Sequence, residues 1–74
     1  MKREAVEIQT PFIKLDSFLK FAGAADTGGQ CKELVVAGEV TVNGERCLQR
    51  GKKLVPGDVV RCRGREFEVA AVAD

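Results

Sequence analysis

The residues best placed to do chemistry lie in the run TGGQCKELVVAGEVTVNG, which spans Thr27 to Gly44. A helix starting at Thr27-Gly28-Gly29 exposes free backbone amides that no side chain obstructs, and the helix dipole favours an anion such as phosphate there. Lys32 stands one turn further in and adds a cation. An equally good account is that Gly28 and Gly29 only let the loop from Gly23 turn, so the pair by itself is weak evidence. Cations gather later in the chain. Arg46, Arg50, Lys52 and Lys53 occur with no acidic residue between them, and Arg61, Arg63 and Arg65 follow. The formal net charge is only +1, from 12 Lys and Arg against 11 Asp and Glu, so any basic surface must be local. That distribution suits phosphate binding at one site with little attraction elsewhere.

Catalytic candidates are few. The chain has no histidine, no tyrosine, no serine beyond Ser17, and no cluster of carboxylates that would separate into an acid and a base. Cys31, Cys47 and Cys62 are widely spaced, form no C-x-x-C pair and have no histidine to complete a metal shell, so they read as buried free thiols rather than redox or zinc ligands. In Val60-Arg61-Cys62-Arg63, strand alternation sends the arginines one way and the thiol the other, which removes the cations that would activate it. The expectation is a protein that is not an enzyme and uses no cofactor or metal.

These residues need elements to hold them. Thr27 and Gln30 have capping-box spacing, with Gln30 reaching back to the Thr27 amide, so a helix is expected from Gly28. Cys31, Leu34 and Val35 form its apolar face, and Gly38 stops it. Val40 and Val42 alternate as a half-buried strand, and Asn43-Gly44 is a tight hairpin turn. Upstream, Glu4 to Gln9 reads as an edge strand closed by Thr10-Pro11. Leu15, Phe18, Leu19 and Ala22 mark a first short helix that Gly23 ends, with Asp16 placed to pair with Lys20. Glu45 to Gly51 is expected to return along the strand before it as an irregular, exposed stretch. Lys53 to Asp58 reads as a type II turn at Pro56-Gly57. Val59 to Arg63 and Glu66 to Val69 then make a hairpin across Gly64-Arg65, with Val60, Cys62, Phe67 and Val69 facing the core. Phe18 and Phe67 read as core. Phe21 lies off the main stripe and is either core or an exposed platform on which a base could stack.

At 74 residues the chain is expected to be one domain, residues 1–74, burying roughly 60% of its unfolded surface. Hydrophobic residues make up 45% and charged residues 31%, which excludes disorder as the default. No apolar run approaches the roughly 20 residues of a membrane span, and the first ten residues lack a signal peptide's apolar centre, so a cytosolic protein is expected. The class is α+β, with two short packed helices on a small, mainly antiparallel sheet.

The order Lys14-Leu15-Asp16-x-Phe18-Leu19-Lys20, then the capped second helix, then Gly38-Glu39-Val40-Thr41-Val42-Asn43-Gly44 and Pro56-Gly57-Asp58-Val59-Val60, resembles the RNA-binding domain family named after ribosomal small-subunit protein S four. The likeness runs from about Ile13 to Val60 and points to the small stand-alone bacterial members. It implies the alpha-L RNA-binding motif, in which paired helices and a neighbouring basic hairpin grip RNA. Carried over by position, Lys14, Lys20, Gln30 and Lys32 would line the RNA face, and Arg46, Arg50, Lys52 and Lys53 would extend it, with the Gly28 and Gly29 amides added from the helix-start reading. Many relatives carry an arginine in the loop opening the second helix where this chain has glycine, which shifts weight there to backbone amides. Cations on rigid elements read phosphates and 2′-hydroxyls, so the expected ligand is structured RNA, ribosomal or transfer, bound by a ribosome-associated monomer without membrane contact. Two other classes share features with the chain. Ubiquitin-like sulfur carriers also have V-N-G before a G-D-x-V turn, but act through a C-terminal Gly-Gly where this chain reads Val72-Ala73-Asp74. A protein-binding adaptor would use the basic stretch only as a solvated face.

Overall fold

The computed structural model describes residues 3–72. In chain order the elements are β1 (Arg3–Ile8), β2 (Ile13–Lys14), α1 (Leu15–Phe21), α2 (Gly28–Val36), β3 (Val40–Val42), β4 (Glu45–Arg46), β5 (Lys53–Leu54), β6 (Val59–Cys62) and β7 (Arg65–Ala71). Five strands form one sheet in the order β1-β7-β6-β3-β4, and β2 pairs with β5 in a second, two-stranded one. Every pairing is antiparallel except β1 with β7. The α+β expectation with two helices holds, and β1 is an edge strand as read from Pro11.

The two helices supply one half of the core and the sheet the other. Leu15, Phe18, Leu19, Cys31, Leu34 and Val35 are buried from the helices, and Val40, Val42, Val60, Cys62, Phe67 and Val69 from the strands. Phe18 and Phe67 meet edge to face, ring centroids 6.1 Å apart at 84°, the arrangement that the ring quadrupoles favour. All three cysteines are buried free thiols. Burial pushes the Cys31 and Cys62 thiols up from their ordinary value, which keeps both protonated.

Local chemistry explains the boundaries. Thr27 Oγ1 accepts from the Gln30 amide at 3.1 Å, as capping requires, and Gly38 takes φ +76 just beyond α2. The reciprocal bond departs from the expected box. Gln30 Oε1 accepts from the Asp26 amide at 2.7 Å, one residue before Thr27. Asp16 forms no ion pair with Lys20; its Oδ1 accepts from the Ser17 amide instead, at 2.8 Å. Asn43 and Gly44 adopt φ 53 and 86 between the paired residues Val42 and Glu45. The last hairpin turns one residue earlier than its glycine suggests. Cys62 pairs with Arg65, so Arg63-Gly64 makes the turn with φ 50 and 78. The largest miss is the β2–β5 pair, two residues each, hidden in what reads as the lead-in to a helix and the start of a turn.

Asp58 ties the turn at Val55–Asp58 to the hairpin at Asn43. Its carboxylate accepts from the Val55 amide at 2.9 Å and from Asn43 Nδ2 at 3.1 Å, while Asn43 Oδ1 accepts from the Val59 amide at 2.9 Å. This clasp is the physical content of the N-G and P-G-D motifs. Replacing Asp58→Ala removes two charge-assisted bonds and is expected to cost about 1–3 kcal/mol in urea unfolding. A loss within error of zero would make the clasp incidental.

Candidate nucleic-acid interface

The loop from Cys47 to Lys52 is fastened to the start of α1. Lys14, the residue before α1, offers no side-chain cap, so the first amides need partners from elsewhere. The Leu15 amide donates to the Lys52 carbonyl at 2.9 Å and the Asp16 amide to the Arg50 carbonyl at 3.1 Å. Lys53 then lies directly across the β2–β5 ladder from Lys14. Its ammonium sits 4.9 Å from the centre of the half-exposed Phe12 ring. Four cations from two distant stretches, Lys14 with Arg50, Lys52 and Lys53, are thus placed at one end of α1.

Lys20 and Arg46 stand at different places along α2. Burial dominates the raised Cys31 pKa, but Lys20 and Arg50 both stand near enough to that thiol to pull the other way. Cys31 Sγ in turn donates to the Asp16 carbonyl at 3.3 Å, joining the two helices. Arg46 runs across the other end of α2: a Cβ built on Gly38 would lie 3.1 Å from Arg46 Nε. A guanidinium there meets the negative end of the helix dipole. Lys32 is set apart, lining a shallow hollow with Gly29 and Val36 that also holds Glu33, Glu39 and Arg63.

Ion pairing divides the cations into two groups. On the sheet, Arg3 pairs with Glu66 at 2.6 Å and Glu68 at 3.5 Å, and Arg61 with Glu66 at 3.5 Å. Arg63 pairs with Glu39 at 3.2 Å and Arg65 with Glu4 at 3.1 Å. Arg3 accordingly holds the Glu66 carboxyl below its ordinary value. Lys14, Lys20, Lys32, Arg46, Arg50, Lys52 and Lys53 pair with no acid among the described residues. The later arginines that looked like part of one basic stretch, Arg61, Arg63 and Arg65, are therefore neutralised at the sheet. No spacing rule in the sequence separates the two groups, because the acids that matter lie up to 65 residues away.

At the α2 start, neither glycine has a positive φ, and a Cβ on Gly28 would meet nothing within 4 Å. On Gly29 it would meet only Thr27 Oγ1 at 3.7 Å. The fold itself does not demand glycine at either place. Gln30, with its side chain held by the Asp26 amide, is a capping residue first. Phe21 is 64% exposed and lines a hollow of about 470 Å³ with Ile8, Ile13 and Val72. Glu7 is the charged residue that lines that hollow, and none of the unpaired cations does.

Comparisons with known proteins bear on the family and the fold. The family model described as S4 domain matches residues 6–70. The chain is 42% identical over 59 residues to "Probable ribosome maturation protein RlbA" of Bacillus subtilis strain 168, covering 80% of this chain and 83% of that protein. Among solved structures it resembles the 30S ribosomal protein S4e of Thermoplasma acidophilum, with a TM-score of 0.62 at 16% identity. That match takes in 81% of this chain but only 32% of the ribosomal protein, and it speaks for the fold alone. With a family model spanning most of its length and a relative this similar, the chain belongs to the S4 domain family.

Proposed function

We propose that this protein binds structured RNA, ribosomal or transfer, through phosphate and shape contacts made by Lys14, Lys20, Arg46, Arg50, Lys52 and Lys53, with Lys32 and the Gly28 and Gly29 amides at their edge. The observation that carries this reading is the division of charge. The paired arginines are satisfied within the fold, while seven cations have no internal acid among the described residues. Placing Lys14 directly opposite Lys53 is unfavourable in the free protein, and an external polyanion removes the repulsion. The cations stand on helices, a short ladder and an anchored loop, which suits reading the spacing of phosphates along a folded RNA. Phe12 is already engaged by Lys53, and the exposed Phe21 lines a hollow that none of these cations shares, which does not favour stacking of a single strand along the cation face. Family membership and a relative named for ribosome maturation favour a ribosomal setting in the cytoplasm, and no helix of the described residues is long and apolar enough to cross a membrane. The protein acts in this reading as a single non-enzymatic RNA-binding domain.

Neutralising about four phosphates should make log affinity fall against log salt with a slope of about −3 to −4. Filter binding of a ribosomal RNA hairpin across a salt series measures it, and a flat response would reject the electrostatic face. Lys52→Ala with Lys53→Ala should reduce the slope by about 2 and leave the melting temperature unchanged, whereas Arg61→Ala should leave RNA affinity unchanged. Equal losses from both would mean that the division of charge has no bearing on binding. Gly29→Ala should raise the stability of α2 by up to about 1 kcal/mol, since there is room for the methyl group. Its RNA affinity should nonetheless drop several-fold if phosphate approaches the amides; unchanged affinity would remove the helix start from the interface.

A further inference from the structure

Between β4 and the anchored loop lies a hollow of about 350 Å³, at the small end of the roughly 300–1,000 Å³ that ligand sites occupy. Leu48 gives it an exposed apolar surface over the buried Val42 and Cys47, and Arg46, Lys52, Gln49 and Glu45 surround it. Leu48 is 61% exposed, yet its loop is fixed on both sides. The Cys47 amide donates to the Val40 carbonyl at 3.0 Å and the Lys52 amide to the Gln49 carbonyl at 3.3 Å. A leucine held in water between two unpaired cations gains hydrophobic free energy only when something covers it.

The covering group must combine a flat apolar surface with negative charge on both sides. A nucleotide has that combination, with a π face to lie on the side chain and phosphates before and after it. A lipid surface also joins apolar and anionic groups, but it would strip water from the polar side chains at the hollow without replacing their hydrogen bonds. Those are Gln49, whose carboxamide bonds nothing among the described residues, and Glu45, which also lines the hollow.

We propose that this hollow receives one unpaired nucleobase of the RNA, resting on Leu48 with its flanking phosphates at Arg46 and Lys52. The inference rests on the RNA reading above and adds a base-specific contact to a face that otherwise reads shape. Gln49 and Glu45 meet the edge of the base. A carboxylate only accepts hydrogen bonds, and uracil offers it a single N3–H between two carbonyl oxygens that repel it, so the site favours a base with an exocyclic amine.

Hairpin RNAs that differ at one bulged position, carrying adenosine, cytidine, uridine or an abasic ribose, test this against the wild-type chain, Leu48→Ala and Gln49→Ala at two salt concentrations. The abasic hairpin should bind the wild type about tenfold more weakly than the adenosine hairpin, with uridine between them. Each variant should bring the adenosine hairpin down to the abasic level, with salt dependence and thermal unfolding unchanged. Salt-dependent binding that ignores the bulged base, or variants that lose equally on adenosine and abasic RNAs, would overturn the base site and leave the RNA reading standing. Absence of salt-dependent wild-type binding to every hairpin would overturn both.

Discussion

A helix that starts without a side-chain cap must find acceptors for its first amides, and here that need fixes the geometry of the cation surface. The Leu15 and Asp16 amides take the carbonyls of Lys52 and Arg50, so the loop that carries the cations is held by backbone bonds. Side chains at positions 50 and 52 are left with no structural duty toward α1. They project from an anchored main chain, free to meet a ligand, which is the condition under which cations read spacing rather than merely attract.

The same economy of partners runs through the charges. On the outer surface of the sheet, cross-strand register sets Arg3 and Arg61 against Glu66, and these pairs satisfy each other at the surface. At the α1 end, register does the reverse and sets lysine against lysine. A nearly neutral protein thereby holds one locally positive end without an acidic region that would repel a polyanion from everywhere else. Exposed single ion pairs contribute little to stability, so the sheet pairs matter more for where charge is absent than for holding the fold.

Much of this was legible in the chain because the signals were local. Thr27 before a glycine pair, Gly38 after an apolar face, Asn43-Gly44 and Pro56-Gly57 each act over three or four residues, and α2, β3 and both turns stand where those residues put them. The places where local reading fails are those decided at a distance. Two-residue strands have too few positions to show alternation, so β2 and β5 exist only because their partners lie across the fold. Gln30 prefers the Asp26 amide for a reason of loop path that spacing does not carry. The cations are visible by type, but their division into paired and unpaired is not, since Arg65 meets Glu4 only after the sheet has closed. Arg65 also donates to the Gly23 carbonyl and lies over the Phe67 ring, a structural role that a basic cluster conceals.

The parallel β1–β7 pairing has a kinetic meaning as well. Arg3 sits beside Glu66, so the first described strand has no neighbour until almost the whole chain is present. The helices and the β3–β4 hairpin close over short loops and can form early, but the sheet edge waits on a contact of very high sequence separation, the slow kind in a folding reaction. During synthesis Val6 and Ile8 stay uncovered while β7 is still to emerge, exposing an open strand edge of the sort that invites misassociation. The charges along that strand, Arg3, Glu4 and Glu7, would keep it soluble in the interval, before Glu66, Glu68 and Arg65 arrive to pair with the first two.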